Sequence, residues 1–136
     1  MYKSILVPVA LDDDGKTERA LEVAETLAAP GASLTILHII EAIPNFAKTY
    51  VPEDVMKKGR EDAEKSVRAI ADKAPLDAKG VLMSGHGGTS IVSYAEDHDI
   101  DCIVIGSHRP VLSDTIFGST ANHVVRHATM SVHVVR

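Results

Sequence analysis

Five short apolar runs along the chain predict β-strands. Most of these runs are continuously apolar rather than alternating, which is typical of strands that are covered on both faces. They span residues 3–9, 34–40, 79–84, 101–105 and 131–135.

Four segments with helical spacing lie between the predicted strands. Their apolar stripes are Ala20, Leu21, Ala24, Leu27 and Ala28, then Ala63, Val67, Ile70, Ala71 and Ala74, then Ile91, Tyr94 and Ala95, and last Ala121, Val124, Val125 and Ala128. Such alternation of strands and helices predicts a doubly wound α/β fold with a parallel sheet and right-handed crossovers. The pattern leaves the direction of the last strand open. The 136 residues suit one domain over 1–136.

Charge and cysteine content narrow the classes of partner. The net charge is -5 and no basic run occurs, so we expect neither a nucleic-acid surface nor an anionic-membrane surface. Cys102 is the only cysteine, which excludes an internal disulfide and a cysteine-rich zinc site. The first residues lack a signal-peptide pattern, and no apolar run is long enough to span a bilayer. A cytoplasmic location is therefore expected.

The strongest chemical signal follows the fourth predicted strand. Gly106-Ser107-His108-Arg109-Pro110 ends that strand, and Gly118-Ser119-Thr120 opens the last helix. Glycine leaves room for a ligand, and a helix N-terminus offers N–H groups and hydroxyls to phosphate. The alternative is a strand-end turn at Gly106 with Ser119 as a simple N-cap. Ligands of open α/β sheets bind at the carboxyl ends of the strands, where the winding direction of the sheet reverses. This signal follows a strand at such an end, which favours the phosphate interpretation.

Three runs resemble the universal stress protein family: residues 5–9, 101–108 and 131–135. The resemblance covers essentially the whole chain and implies a single five-stranded, Rossmann-like parallel sheet in the order 3-2-1-4-5. The Ser-His-Arg-Pro variant after Gly106 resembles the bacterial F/G-type subgroup, which includes nucleotide binders. In the family pattern, Arg109 stands where a second glycine is usual, with eight residues rather than nine before Gly118. Ala10 stands where aspartate is common.

The resemblance implies a nucleotide site without a catalytic residue. Adenine would rest near Pro8, Val9 and Ile39, and phosphates on Arg109, Gly118, Ser119 and Thr120. The full set of site residues it implies is Pro8, Val9, Ala10, Ile39, Gly106, His108, Arg109, Gly118, Ser119 and Thr120. The expected ligand is ATP, with magnesium or manganese arriving on its phosphates rather than in a dedicated protein metal site.

Other local features carry weaker signals. Asp12, Asp13 and Asp14 could contact a ribose or a metal, but a solvated turn before a Thr17 helix cap is favoured. The segment 85–89 is one glycine short of GxGxxG and lacks a Walker lysine, so it is interpreted as a flexible turn. His123 and His127 are four residues apart without an HExxH pattern, which favours a surface role.

The expected function is that of an ATP-binding stress-response sensor or regulator, with at most slow ATP hydrolysis. We expect a homodimer through the last strand, 131–136, which is rich in valine and has no proline or lysine. A phosphoryl-transfer enzyme using His108 and Arg109 would need a general base with an orienting partner, and none is evident. A receiver domain would need an aspartate where Ser84 and Gly85 stand. A nucleotide-independent dimeric scaffold remains the third alternative.

Overall fold

Strands and helices alternate along the chain in the predicted order. A computed structural model describes residues 1–11, 15–107 and 118–136. The elements are β1 (Tyr2–Pro8), α1 (Lys16–Leu27), β2 (Ala28–Glu41), α2 (Asn45–Lys48), α3 (Glu53–Lys73), β3 (Ala78–Gly85), α4 (Gly87–Asp97), β4 (Cys102–Gly106), α5 (Ser119–His127) and β5 (Ser131–Val135). In these three segments, no helix combines the length and the apolar character needed to cross a membrane.

The five strands form one sheet in the order β3-β2-β1-β4-β5, and every neighbouring pair is parallel. The predicted fold class and strand order are therefore confirmed. The last strand, whose direction the sequence left open, pairs parallel with β4 and places Ser131 opposite Cys102. Its backbone pairing continues past the end of β4, because Ser107 N donates to Val135 O at 2.8 Å.

Alternate residues of the central strands enter two separate cores. On β1, Ile5 and Val7 pack with α1 and α3 on one face, while Leu6 packs with α4 and α5 on the other. All three side chains are fully buried. Successive residues of a strand point to opposite faces, so a strand covered on both faces needs apolar residues at every position. This is why the predicted strands are continuously apolar.

Strand β2 begins six residues before its predicted start. Ala28, expected on the stripe of the first helix, is the first residue of β2 and caps α1 with an N–H bond to Glu25 O. Gly31 has a φ of 78°, and the register with β1 shifts between Tyr2 and Ser4. A glycine in this left-handed conformation allows an irregularity that apolar spacing does not reveal. Inside the connection 41–52, the structure also contains the short helix α2.

Helix α3 packs closely against the edge strand β3 at Gly80. A Cβ atom there would lie 2.7 Å from Val67 Cγ1 and 3.0 Å from Val67 O. One of these atoms belongs to the backbone, so a rotamer change of the valine alone would not make room. The position therefore requires glycine for helix-to-sheet packing.

We predict that Gly80→Ala lowers the free energy of unfolding by about 1–3 kcal/mol, because the added methyl overpacks the contact with Val67. Gly59 is the matched control, since it lies inside α3 and a Cβ there meets no atom within 4 Å. Gly59→Ala should raise stability by about 0.5–1 kcal/mol. Urea unfolding curves measure both, and equal stabilities of the two variants would contradict this packing argument.

Candidate functional site

A cavity of about 470 Å³ opens at the carboxyl ends of the central strands. Its lining comes from the ends of β1, β2 and β4 and from the first turns of α1, α4 and α5. Helices α1 and α4 cover opposite faces of the sheet, so a crevice forms where the winding direction reverses. This is where open α/β sheets bind ligands.

Eight of the predicted site residues line this one cavity. They are Pro8, Val9, Ala10, Ile39, Gly106, Gly118, Ser119 and Thr120. The predicted residues His108 and Arg109 lie outside the described residues, as do the three aspartates 12–14. The fold thus brings together segments that are separated by up to about a hundred positions in sequence.

The chain just after β1 is tied to β2 through main-chain atoms. Val9 N donates to Leu37 O at 2.8 Å, and His38 Nδ1 lies 2.8 Å from Val9 O. The histidine tautomer with its proton on Nδ1 donates a hydrogen bond to that carbonyl. Because the N–H of Val9 is already engaged, this residue offers a ligand an apolar surface rather than a free backbone donor.

The N-terminus of α5 borders the opposite side of the cavity. Gly118 is the N-cap, with φ of -66° and ψ of 166°, and no side chain of the described residues caps the helix. Ser119 is the first helical residue, so it is not the N-cap that the alternative interpretation requires. The first turn therefore presents N–H groups that no side chain in the described part of the chain caps, beside two hydroxyl side chains. A Cβ on Gly106 would meet no atom of the described residues within 4 Å, which leaves space among them over the end of β4.

Sequence reasoning missed the contribution of α4. The segment interpreted as a flexible turn already contains the start of this helix, because α4 begins at Gly87, a residue that lines the cavity. Gly87 N donates to Glu41 Oε1 at 3.1 Å, and His86 Nδ1 lies 3.7 Å from Glu41 Oε2. Glu41 lies two residues after Ile39 on β2, so the two-residue period of a strand could have identified it.

The start of α1 also differs from expectation. Gly15 is the N-cap with a φ of 96°, and Lys16 is the first helical residue. Thr17, expected as the cap, therefore lies one position inside the helix. Both Lys16 and Thr17 line the cavity, where they add a cation and a hydroxyl.

The described residues contain no group of three or more His, Cys, Asp or Glu side chains arranged to hold a metal ion. The rings of His123 and His127 do lie side by side, with centroids 4.2 Å apart. Cys102 is buried, and this burial, together with the charge of Asp101, raises the pKa of its thiol to about 11. The thiol therefore stays protonated at neutral pH and is a poor nucleophile.

Comparison with known proteins gives a consistent result. The pattern of the universal stress protein family matches residues 1–136. Universal stress protein G of Salmonella typhimurium is 28% identical over 142 positions, covering 100% of both chains. The solved universal stress protein UspA from Lactobacillus plantarum is 28% identical, with a TM-score of 0.72 over 99% of this chain and 98% of that one.

A second solved structure shares the fold at lower identity. It is the universal stress protein from Archaeoglobus fulgidus in complex with dAMP, which is 22% identical with a TM-score of 0.68 over 99% of this chain and 98% of that one. The family pattern extends over the whole chain, and the sheet order agrees with the one that the family implies. The protein therefore belongs to the universal stress protein family.

Proposed function

We propose that this protein binds an adenine nucleotide, ATP with magnesium or manganese, and acts in the cytoplasm as a homodimeric stress-response sensor or regulator. The observation that carries the proposal is the composition of the cavity. One end combines Gly106 with the first turn of α5, and the other is walled by aliphatic side chains of β2, α4 and β4.

The two ends of the cavity suit the phosphates and the base of a nucleotide. Phosphate is stabilised by N–H groups and by the positive end of a helix dipole, which Gly118, Ser119 and Thr120 supply. Lys16 adds a positive charge to the same cavity. In this proposal the guanidinium group of Arg109 binds phosphate, with His108 nearby. Both residues belong to the segment that connects Gly106 and Gly118.

The choice of adenine is supported by a relative. The universal stress protein from Archaeoglobus fulgidus has the same fold and was solved in complex with dAMP. The volume of about 470 Å³ is within the usual range for a small-molecule site.

We propose a binding role rather than dedicated catalysis. A histidine and a carboxylate do meet at the rim, but His86 Nδ1 and Glu41 Oε2 are 3.7 Å apart. The two side chains are 81% and 68% exposed, so neither holds the other in a fixed orientation. A general base needs an orienting hydrogen bond at about 2.6–3.2 Å. Any ATP hydrolysis is therefore expected to be slow.

We predict that the protein binds ATP more tightly than GTP when magnesium is present. Isothermal calorimetry with both nucleotides measures the difference directly. If neither nucleotide binds at millimolar concentration, the sensor proposal fails and the nucleotide-independent scaffold becomes the better hypothesis.

We predict that Gly118→Val and Ser119→Ala weaken ATP binding without unfolding the domain. The φ and ψ of Gly118 are accessible to valine, so the backbone accepts the change while the new side chain blocks the phosphate approach. Loss of the Ser119 hydroxyl should cost on the order of 1 kcal/mol, and blocked access should cost more. Thermal unfolding checks the fold and calorimetry the affinity. Unchanged affinity in a folded Gly118→Val protein would place the phosphates elsewhere.

The dimer proposal rests on strand β5. Within residues 1–11, 15–107 and 118–136 this strand pairs only with β4 and forms an edge of the sheet. Val135 O faces β4, since it accepts from Ser107 N. In a parallel pair the N–H and C=O of one residue point to the same side, so those of Val134 point outward. An antiparallel copy of the strand could pair with them across a two-fold axis.

We predict that Val134→Pro converts the dimer to a monomer, because it removes an outward N–H without taking a bond from the β4 pairing. Val134→Ala is the matched control, since it keeps the N–H and should remain dimeric. Light scattering of the three proteins measures this. A monomeric wild type, or a folded proline variant that stays dimeric, would refute the interface.

A further inference from the structure

We infer that His123 and His127 on helix α5 form a binding site for a divalent transition metal ion of the zinc type, with water on the remaining coordination positions. Neither residue lines the candidate nucleotide cavity, so the site goes beyond the proposed function and does not depend on it. The inference combines the spacing of the two residues, the contact between their rings, the packing of His123 on α4 and the position of the pair on α5.

The two histidines lie on one face of α5. They are four positions apart in a helix that spans Ser119–His127, so their side chains leave successive turns on the same side. Their ring centroids are 4.2 Å apart, and the ring planes are inclined by 35°. The structure thus brings the two imidazoles into direct contact, which the spacing in the sequence does not establish by itself.

A metal ion can join two imidazoles that lie this close. Zn–N bonds of about 2.0–2.1 Å, with an angle at the metal of about 90–110°, hold the two nitrogens about 2.9–3.4 Å apart. Histidines at i and i+4 on a helix are also the spacing with which helical HExxH motifs bind zinc. Rotation about side-chain bonds is enough to bring the rings from the observed contact to this separation. The helix backbone keeps its conformation.

The ring of His123 is held against helix α4. A Cβ on Gly88 would lie 2.7 Å from Cβ of His123, 2.8 Å from its Cγ and 2.9 Å from its Cδ2. These atoms form one edge of the side chain, so the opposite edge, with Nδ1 and Cε1, faces away from Gly88. His123 is half-buried, whereas His127 is exposed. Packing therefore fixes one ligand while the other can turn toward the metal, which lowers the entropy lost on binding.

The ring nitrogens of this pair are not engaged by other described residues. His38 and His98 each place Nδ1 at hydrogen-bond distance from a backbone carbonyl, Val9 O at 2.8 Å and Tyr94 O at 2.9 Å. The pair on α5 has only its mutual ring contact within the part of the chain that the structure describes. A neutral imidazole binds metal through the nitrogen that carries a lone pair. Metal binding here breaks no hydrogen bond between described residues.

The end of α5 favours a cation. His127 is the last residue of the helix, and the C-terminal turn of a helix carries partial negative charge. A carboxylate lies near the same end, because Glu96 Oε1 accepts from Thr129 Oγ1 at 3.4 Å. Arg126 precedes His127 by one residue, so its side chain leaves the helix about 100° away from that of His127. The local field therefore supports a positive ion beside the pair.

Two imidazoles select the class of metal. Imidazole suits zinc, copper and nickel, whereas Mg²⁺ and Ca²⁺ prefer oxygen ligands. The pair should therefore not bind the magnesium that accompanies a nucleotide. The described residues bring no third His, Cys, Asp or Glu into a metal-binding arrangement with it. Since structural zinc sites have four protein ligands, a two-ligand site holds its ion reversibly and leaves positions for water or for a group of another molecule.

The test is calorimetric titration of the nucleotide-free protein with zinc chloride and, separately, with magnesium chloride. It compares the wild type with His123→Ala, His127→Ala and the control His86→Ala. His86 is the matched control because it is 81% exposed and lies beside Glu41, another place where a histidine meets a metal-binding side chain. Thermal unfolding verifies that each variant is folded.

We expect the wild type and His86→Ala to bind one zinc ion per chain with similar affinity and to bind no magnesium at the same concentrations. His123→Ala and His127→Ala should each bind zinc at least about tenfold more weakly, since even the loss of an outer partner of a metal ligand costs that much. Zinc should raise the melting temperature of the wild type and leave that of both variants unchanged.

Three results would overturn the site. They are absence of zinc binding by the wild type, unchanged zinc affinity in folded His127→Ala, and weakening by only one of the two substitutions, since a shared ion needs both rings. A loss confined to His86→Ala would also overturn it and place the zinc beside Glu41. Each of these results leaves the proposed nucleotide function standing.

Electron paramagnetic resonance with Cu²⁺ tests whether both rings hold the same ion. The unpaired electron of copper couples to each bound imidazole nitrogen, so the spectrum reports how many nitrogens coordinate. The wild type and His86→Ala should show two, and His127→Ala should show one. His127 is exposed, so this variant keeps the test decisive even if His123→Ala fails to fold. A wild-type spectrum with fewer than two imidazole nitrogens would overturn the shared site.

Discussion

The structure depends on the burial of β1 and β4 on both faces. Parallel strands require crossover connections, and here α1 and α3 cover one face while α4 and α5 cover the other. The chain leaves β1 toward one face and enters β4 from the other. Their carboxyl ends therefore cannot both be covered by the same helix, and the crevice between them is a consequence of the topology.

The cavity continues the core rather than interrupting it. Along β2, Leu37 is fully buried, Ile39 is half-buried and Glu41 is exposed, although all three lie on the same face. The apolar wall of the cavity is thus the last layer of the core before solvent. The side chains on this face of β2 become polar only at Glu41, where the strand reaches solvent. At that place the N-termini of helices α4 and α5 supply N–H groups. A cavity with an apolar end and a polar end follows from this gradient.

Close packing of α4 against α5 fixes the position of the polar end. A Cβ on Gly88 would lie 2.7 Å from Cβ of His123, so only glycine permits this approach of the two helices. Gly87, one residue earlier, lies beside Thr120 in the first turn of α5. The glycines that resemble part of a phosphate-binding loop therefore serve helix packing and contact with Glu41. Their effect on the candidate site is to hold the N-terminus of α5 over the sheet.

The sequence alone determined the alternation of strands and helices, the two-sided burial of the sheet and the candidate phosphate residues Gly106 and Gly118-Ser119-Thr120, which line the cavity. These features follow from local periods and from glycine and hydroxyl residues at element ends. Resemblance to the family supplied the strand order and the remaining predicted residues of the cavity, Pro8, Val9, Ala10 and Ile39. Only the tertiary structure decided that Gly87 N meets Glu41, that His38 reaches Val9 O and that β2 begins at Ala28. The first two contacts join residues 46 and 29 positions apart, and the third depends on a glycine conformation, so no local pattern encodes them.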